Sequence, residues 1–190
     1  MVILVATLNY GGQVNGHEVI PNIADIQFEG KTISIKLRMN VEAFLSNMDL
    51  SQVKDTDEAA QIKEYEIVRA LSPDELRALF EANWVNFTSL ISLKDSNGQS
   101  LKNFTLESLD IEDIKNTKLP RLSNLSFSVN SFTSLSAITV SFDERLGATY
   151  LRQVGVENGL EQNLYPGDTS DTIKVFGGQE KTKLMTFLGY

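Results

Sequence analysis

The chain has 190 residues, with 17 Lys or Arg against 25 Asp or Glu, a formal net charge of −8, no Cys and one His. The missing Cys excludes thiolate nucleophiles, disulfide scaffolds, Fe–S clusters and thiolate zinc sites. The single His17 excludes a zinc site with two histidines from one chain and leaves one position through which a Ser-His-Asp triad could run. The acidic balance lacks the positive field that a phosphate backbone or anionic lipid headgroups require, so neither a nucleic-acid partner nor electrostatic docking on a membrane is expected, and the length suits one domain with its own core.

None of the charged side chains lies in the first sixteen residues. Val2 to Leu8 is apolar and is followed by small and polar residues, with Val14 and Gly16 where a leader peptidase reads, three and one residues before a cut at His17. Residues 1–16 therefore read as the back half of a secretory signal lacking its positive start. A first β-strand over Val2 to Leu8 is the alternative. From Ile23 the pattern turns to period two: Ala24, Ile26 and Phe28 alternate with Asp25 and Gln27. After Glu29-Gly30-Lys31, Ile33, Ile35, Leu37 and Met39 alternate with Ser34, Lys36 and Arg38. Two such runs around a glycine predict a β-hairpin with one wet face.

The next stretch, about residues 41–84, is helical. Asn40 is placed to cap a short helix from Val41. Ile62, Tyr65, Val68 and Leu71 recur at helical spacing behind Asp57-Glu58, and Ser72-Pro73-Asp74-Glu75 is a capping box with proline at the first helical position. Leu76, Leu79, Phe80 and Trp84 then share a face, which a helical pair could lay over a sheet or, through Leu76, Phe80 and Trp84, present to another protein. Strands return from Phe87 to Lys94, closed by Asp95-Ser96-Asn97-Gly98, and continue as Phe104 to Ser108, Leu125 to Val129, Ile138 to Phe142, Tyr150 to Val156 and Thr172 to Phe176. Turns rather than helices join them. The fold class predicted is mainly β, an antiparallel β-sandwich-like domain with a helical insertion, spanning residues 17–176 as one soluble unit. Residues 177–183 read as a polar linker, and Leu184 to Tyr190 turns apolar.

Three constellations bear on chemistry. Asp55 and Asp57 alternate as oxygen ligands do, although the glycine and terminal glutamate of a calcium loop are missing, and helix capping is the ordinary role of such a cluster. Glu107, Asp110, Glu112 and Asp113 form an acidic patch that a solvated face explains. His17 is the third. If the leader is cut after Gly16, the free amine and imidazole of His17 can chelate Cu(II) or Ni(II) transiently, with Glu18 or a nearby carboxylate completing the set. No resident cofactor is expected. A carboxylate-pair hydrolase is the weakest class, since nothing selects a pair.

Several stretches are familiar as a set: His17 to Asp25 directly after a leader, Leu37 to Leu45, Asp49-Leu50-Ser51 with Asp55 to Ala59, and Tyr65 to Pro73, joined by Leu119-Pro120-Arg121, Leu151-Arg152-Gln153 and Tyr165-Pro166-Gly167-Asp168. Together they resemble the extracytoplasmic N-terminal region of HupE/UreJ-type membrane proteins. The resemblance runs from about Gly16 to Tyr190, and its motifs are structural rather than catalytic. It implies a soluble β-rich region ahead of a multi-helix membrane domain linked to nickel uptake or to hydrogenase and urease maturation, with residues 177–190 leading toward that domain. The histidine and acidic residues of the membrane domain are missing here, so transport is not carried over. The expected role is a non-catalytic, periplasmic, membrane-anchored domain that assists divalent metal capture or docks a partner, the membrane part of the same protein included. The alternative is an independent secreted interaction module with no metal role.

Overall fold

The computed structural model describes residues 19–53, 56, 59–113 and 121–176. The first hairpin pairs β1 (Asn22–Glu29) with β2 (Thr32–Met39) in antiparallel register from Ile23 opposite Arg38 to Glu29 opposite Thr32. Gly30, at φ 63°, supplies the left-handed turn residue between them. The helical insertion holds α1 (Val41–Leu45), α2 (Ile62–Arg69), α3 (Pro73–Ala82) and α4 (Trp84–Thr88). Both caps act as their residue types predict. Asn40 Oδ1 accepts from the Ala43 amide at 3.0 Å, and Ser72 and Glu75 form the reciprocal capping box.

After the helices come β3 (Ile91–Asp95) and β4 (Ser100–Leu101), then β5 (Thr105–Ile111) and β6 (Ser123–Asn130), then β7 (Ala137–Phe142). A 3₁₀ turn at Glu144–Leu146 leads to β8 (Thr149–Gln153), β9 (Glu161–Leu164) and β10 (Ile173–Lys174). They build a six-stranded sheet in the order β5-β6-β2-β1-β8-β9 and a four-stranded sheet in the order β10-β7-β3-β4. The mainly β, sandwich-like fold with a helical insertion is what the sequence pattern predicts. Hairpins join β1 to β2, β3 to β4, β5 to β6 and β8 to β9, and every other connection between strands crosses from one sheet to the other. Inward residues of both sheets, among them Ile26, Ile35, Phe127 and Leu151 from one and Leu93, Ile138 and Val140 from the other, form a single buried cluster.

The strand predicted from Tyr150 to Val156 ends at Gln153, and β9 is a strand that the pattern does not predict. Three further departures have a physical cause. The β1–β8 pair is parallel, Asn22 opposite Thr149 through Ile26 opposite Gln153, because the 3₁₀ turn returns the chain to the six-stranded sheet at the end where β1 starts. In β5 the register shifts between Leu106 and Ser108, so Leu109 and Ile111 face inward; this bulge breaks the simple alternation from Phe104. Phe87 is helical rather than the start of a strand. Its ring is fully buried against Phe44 (5.2 Å between centroids) and Phe80 (5.1 Å), and packing in this aromatic cluster overrides its strand preference. Leu76 and Phe80 are likewise 0% exposed and pack into the core, whereas Trp84 is half-buried and Leu79, expected on the same face, is 36% exposed.

The strands' common direction gives the molecule two unlike ends. At the helical end β2 runs into α1, α4 into β3 and β7 into the 3₁₀ turn. At the opposite, loop end lie the β1–β2, β3–β4 and β8–β9 turns, the β6–β7 loop, and Phe176, where the described chain stops. Among the described residues no helix is long and apolar enough to cross a membrane.

Candidate functional site

The expected metal residues His17, Glu18, Asp55 and Asp57 all lie outside the described residues. Their neighbour Asp49 is a turn residue: its Oδ1 accepts from the Ser51 amide at 2.9 Å and the Ser51 hydroxyl at 2.6 Å. Glu107, Asp110, Glu112 and Asp113 are exposed, as a solvated face requires. Among the described residues no group of three or more His, Cys, Asp or Glu is arranged to hold a metal ion.

A buried polar cluster at the helical end is the most unusual electrostatic feature of the described residues. It starts from Asn40, which caps α1 with its oxygen and donates through Nδ2 to the Tyr65 hydroxyl at 2.9 Å. One residue into α1, Glu42 is completely buried. Arg121 Nε donates to its Oε1 at 2.8 Å, and the Arg121 NH2 reaches the same oxygen at 2.7 Å. The rest of that guanidinium donates to the Leu71 carbonyl, 3.3 Å from each terminal nitrogen, where α2 hands over to α3. Buried Arg69 completes the group, its guanidinium carbon 5.7 Å from the centre of the Tyr65 ring. Glu42 Oε2 has no hydrogen-bond partner among the described residues.

Burial pushes the Glu42 carboxyl above its ordinary range, opposed first by the Arg121 charge and then by that of Arg69. Burial also raises the Tyr65 phenol, against the hydrogen bond from Asn40. A perturbed carboxyl marks many active sites, but the Arg121 and Glu42 side chains are only 5% and 0% exposed and are closed to a substrate in this conformation. The geometry suits a tie: one pair joins α1, the α2–α3 junction and the segment entering β6. The sequence carries one signal for it, an acidic residue inside the otherwise apolar Val41 to Leu45. Neither the partner nor the depth of burial is legible there.

Two surfaces could contact other molecules. On the outer face of the six-stranded sheet, Arg152 grips Asp25 with two bonds of 2.6 and 2.7 Å, and Lys36 and Arg38 stand exposed beside them over a shallow depression of about 420 Å³. Between α4 and the β3–β4 edge runs a more apolar groove of about 560 Å³ lined by Trp84, Val85, Leu93, Leu101 and Phe104, with Trp84 Nε1 donating to the Phe104 carbonyl at 3.3 Å.

These features define a class: a β-rich α+β domain of two antiparallel-dominated sheets whose most buried charges serve the fold. No protein-family model matches the chain, and no curated protein matches it.

Proposed function

We propose that this chain is the extracytoplasmic domain of a HupE/UreJ-like, membrane-anchored protein, non-catalytic, serving to brace or dock the membrane part and to receive a divalent metal transiently at His17. The observation that carries the reading is where the resemblance residues sit. Asn40 and Glu42, Tyr65 and Arg69, and Arg121 come from three separate stretches of the resemblance and meet in one buried cluster. Gln153, from another stretch, donates to the Lys174 carbonyl at 2.7 Å and joins the two sheets, and Asp168 closes its turn by accepting from the Tyr165 amide at 3.0 Å. A shared architecture would retain these residues, whereas a shared catalytic site would retain groups facing a cleft.

Fractionation of the native protein tests this. The expected result is recovery with the inner membrane and cleavage by protease added to spheroplasts; recovery in the cytosol refutes it. For the metal role, calorimetry on a chain beginning at His17 should show nickel or copper binding near neutral pH that is lost when the amino terminus is extended. A second reading, a secreted interaction module, draws on the apolar groove beside Trp84 and Val85. It predicts a soluble periplasmic protein that retains its partner under chelation.

A further inference from the structure

The two most exposed large apolar side chains in the described structure, Phe132 and Phe176, each 89% exposed, lie at the same end of the sandwich. Phe132 sits on the β6–β7 loop, which is held in place: the Ser131 amide donates to the Lys31 carbonyl at 2.9 Å, Lys31 Nζ donates to the Phe132 carbonyl at 3.1 Å, and the Thr133 amide donates to Ser131 Oγ at 3.2 Å. Phe176 follows Val175, whose amide donates to the carbonyl of Ser136 on that same loop at 3.0 Å, and Ser136 Oγ bonds Ser96 Oγ of the β3–β4 turn at 3.2 Å. Hydrogen-bonded backbone at and beside these positions thus places both rings in solvent at one end, where entry into an apolar phase would be favourable.

Two further observations bear on that phase. Beyond Phe176 the sequence is polar for residues 177–183 and apolar from Leu184 to Tyr190. Seven residues span at most about 25 Å, which bounds how far from Phe176 the apolar stretch can begin. Charge does not oppose this. Although the chain carries −8, the loop end sets Lys31, Lys94 and Lys174 against Glu29, Asp95 and Glu157, so it does not share the acidic excess that anionic headgroups would repel.

We infer that the loop end rests on a lipid bilayer, with Phe132 and Phe176 as its interfacial anchors. Two rings alone bind membranes weakly, but a short tether raises their effective concentration at the surface and makes the contact persistent. The inference deepens the membrane-anchored reading proposed above and rests on it for the tether.

The absence of Cys allows a clean test. Single-cysteine variants S134C, on the β6–β7 loop, and K63C, on α2 at the helical end, are labelled with an environment-sensitive fluorophore. The full chain is then coupled through its carboxyl end to a lipid in protein-free vesicles of phosphatidylethanolamine and phosphatidylglycerol that carry brominated acyl chains. The label at 134 should be quenched several-fold more than the label at 63, and F132S/F176S should bring the two to the same level with an unchanged circular dichroism spectrum. Equal quenching at 134 and 63, as expected if these rings dock on protein, or quenching indifferent to F132S/F176S, overturns the inference. The artificial anchor separates the two claims: such a result leaves the fractionation test of membrane anchoring untouched, and a cytosolic native protein would remove that reading whatever the labels report.

Discussion

Two arginine–carboxylate pairs of nearly equal length show how little bond geometry says about energetic weight. Arg121 and Glu42 meet at 2.7 Å with both side chains buried, whereas Arg152 and Asp25 meet at 2.6 Å on the outer face of the six-stranded sheet with the Arg152 side chain 40% exposed. Water screens the second pair and solvates either partner when the other is removed. Inside the helical end no solvent can replace a lost partner, so the Glu42 charge is tolerated there because of the cations beside it, Arg121 first and Arg69 second. The inner pair is a commitment of the fold, while the outer pair is a local preference of the surface.

The largest expected effect follows from breaking the inner pair on one side. Arg121→Ala leaves the Glu42 carboxyl enclosed without its partner, to be held as a buried ion or protonated against its ordinary preference, and should cost ~3–5 kcal/mol in urea unfolding. A loss below ~1 kcal/mol would mean that the pair is not closed to water. Removing both charges together, as E42L/R121M, should restore at least ~2 kcal/mol of that loss, because the penalty of an unpaired buried ion disappears even though the Leu71 carbonyl loses its donor.

The Glu42 carboxyl also makes stability depend on pH. Its folded value lies above the ordinary 4.5, so the folded state holds the proton more tightly than the unfolded chain does. Stability from this group is fully present below 4.5 and is lost as pH rises through the folded value. The stability of the native chain minus that of Glu42→Gln, measured by urea melts from pH 4 upward, should therefore fall with rising pH. A rise would show that Arg121 and Arg69, not burial, control the group. The smallest effect belongs to the outer pair: Arg152→Ala should cost no more than ~1 kcal/mol, and less at high salt, which thermal melts across ionic strength will read.

The parts of this molecule that could be read from sequence are those fixed by residues close together in the chain. Asn40 and Ser72 cap the helices they precede, Glu75 completes its box, and Asp95 organises the Asn97-Gly98 turn by accepting from the amides of Asn97 and Gln99. What escaped depends on partners far away. Phe87 is helical because Phe44 and Phe80 enclose it, β8 runs parallel to β1 because of a sheet crossing that periodicity does not encode, and Arg121 matters only because Glu42 lies 79 positions earlier. The Leu76, Phe80 and Trp84 stripe has the right helical spacing, but spacing alone does not distinguish a core from an interface. The expected metal site at His17, Glu18, Asp55 and Asp57 falls outside the described residues, so for that part of the candidate site the sequence remains the only guide.

The parallel pairing of β1 with β8 has a kinetic consequence. Asn22 meets its partner Thr149 across most of the chain, and between them the backbone passes back and forth between the sheets. The central sheet therefore cannot close, nor can β9 dock on its far edge, until more than three-quarters of these 190 residues have been synthesised. Loop closure over that separation has to precede any reward from the contacts, which places folding on the slow side for a chain of this size. Until Thr149 to Gln153 are available, β1 therefore holds only one of its two sheet neighbours, and its other edge stays open to a wrong partner.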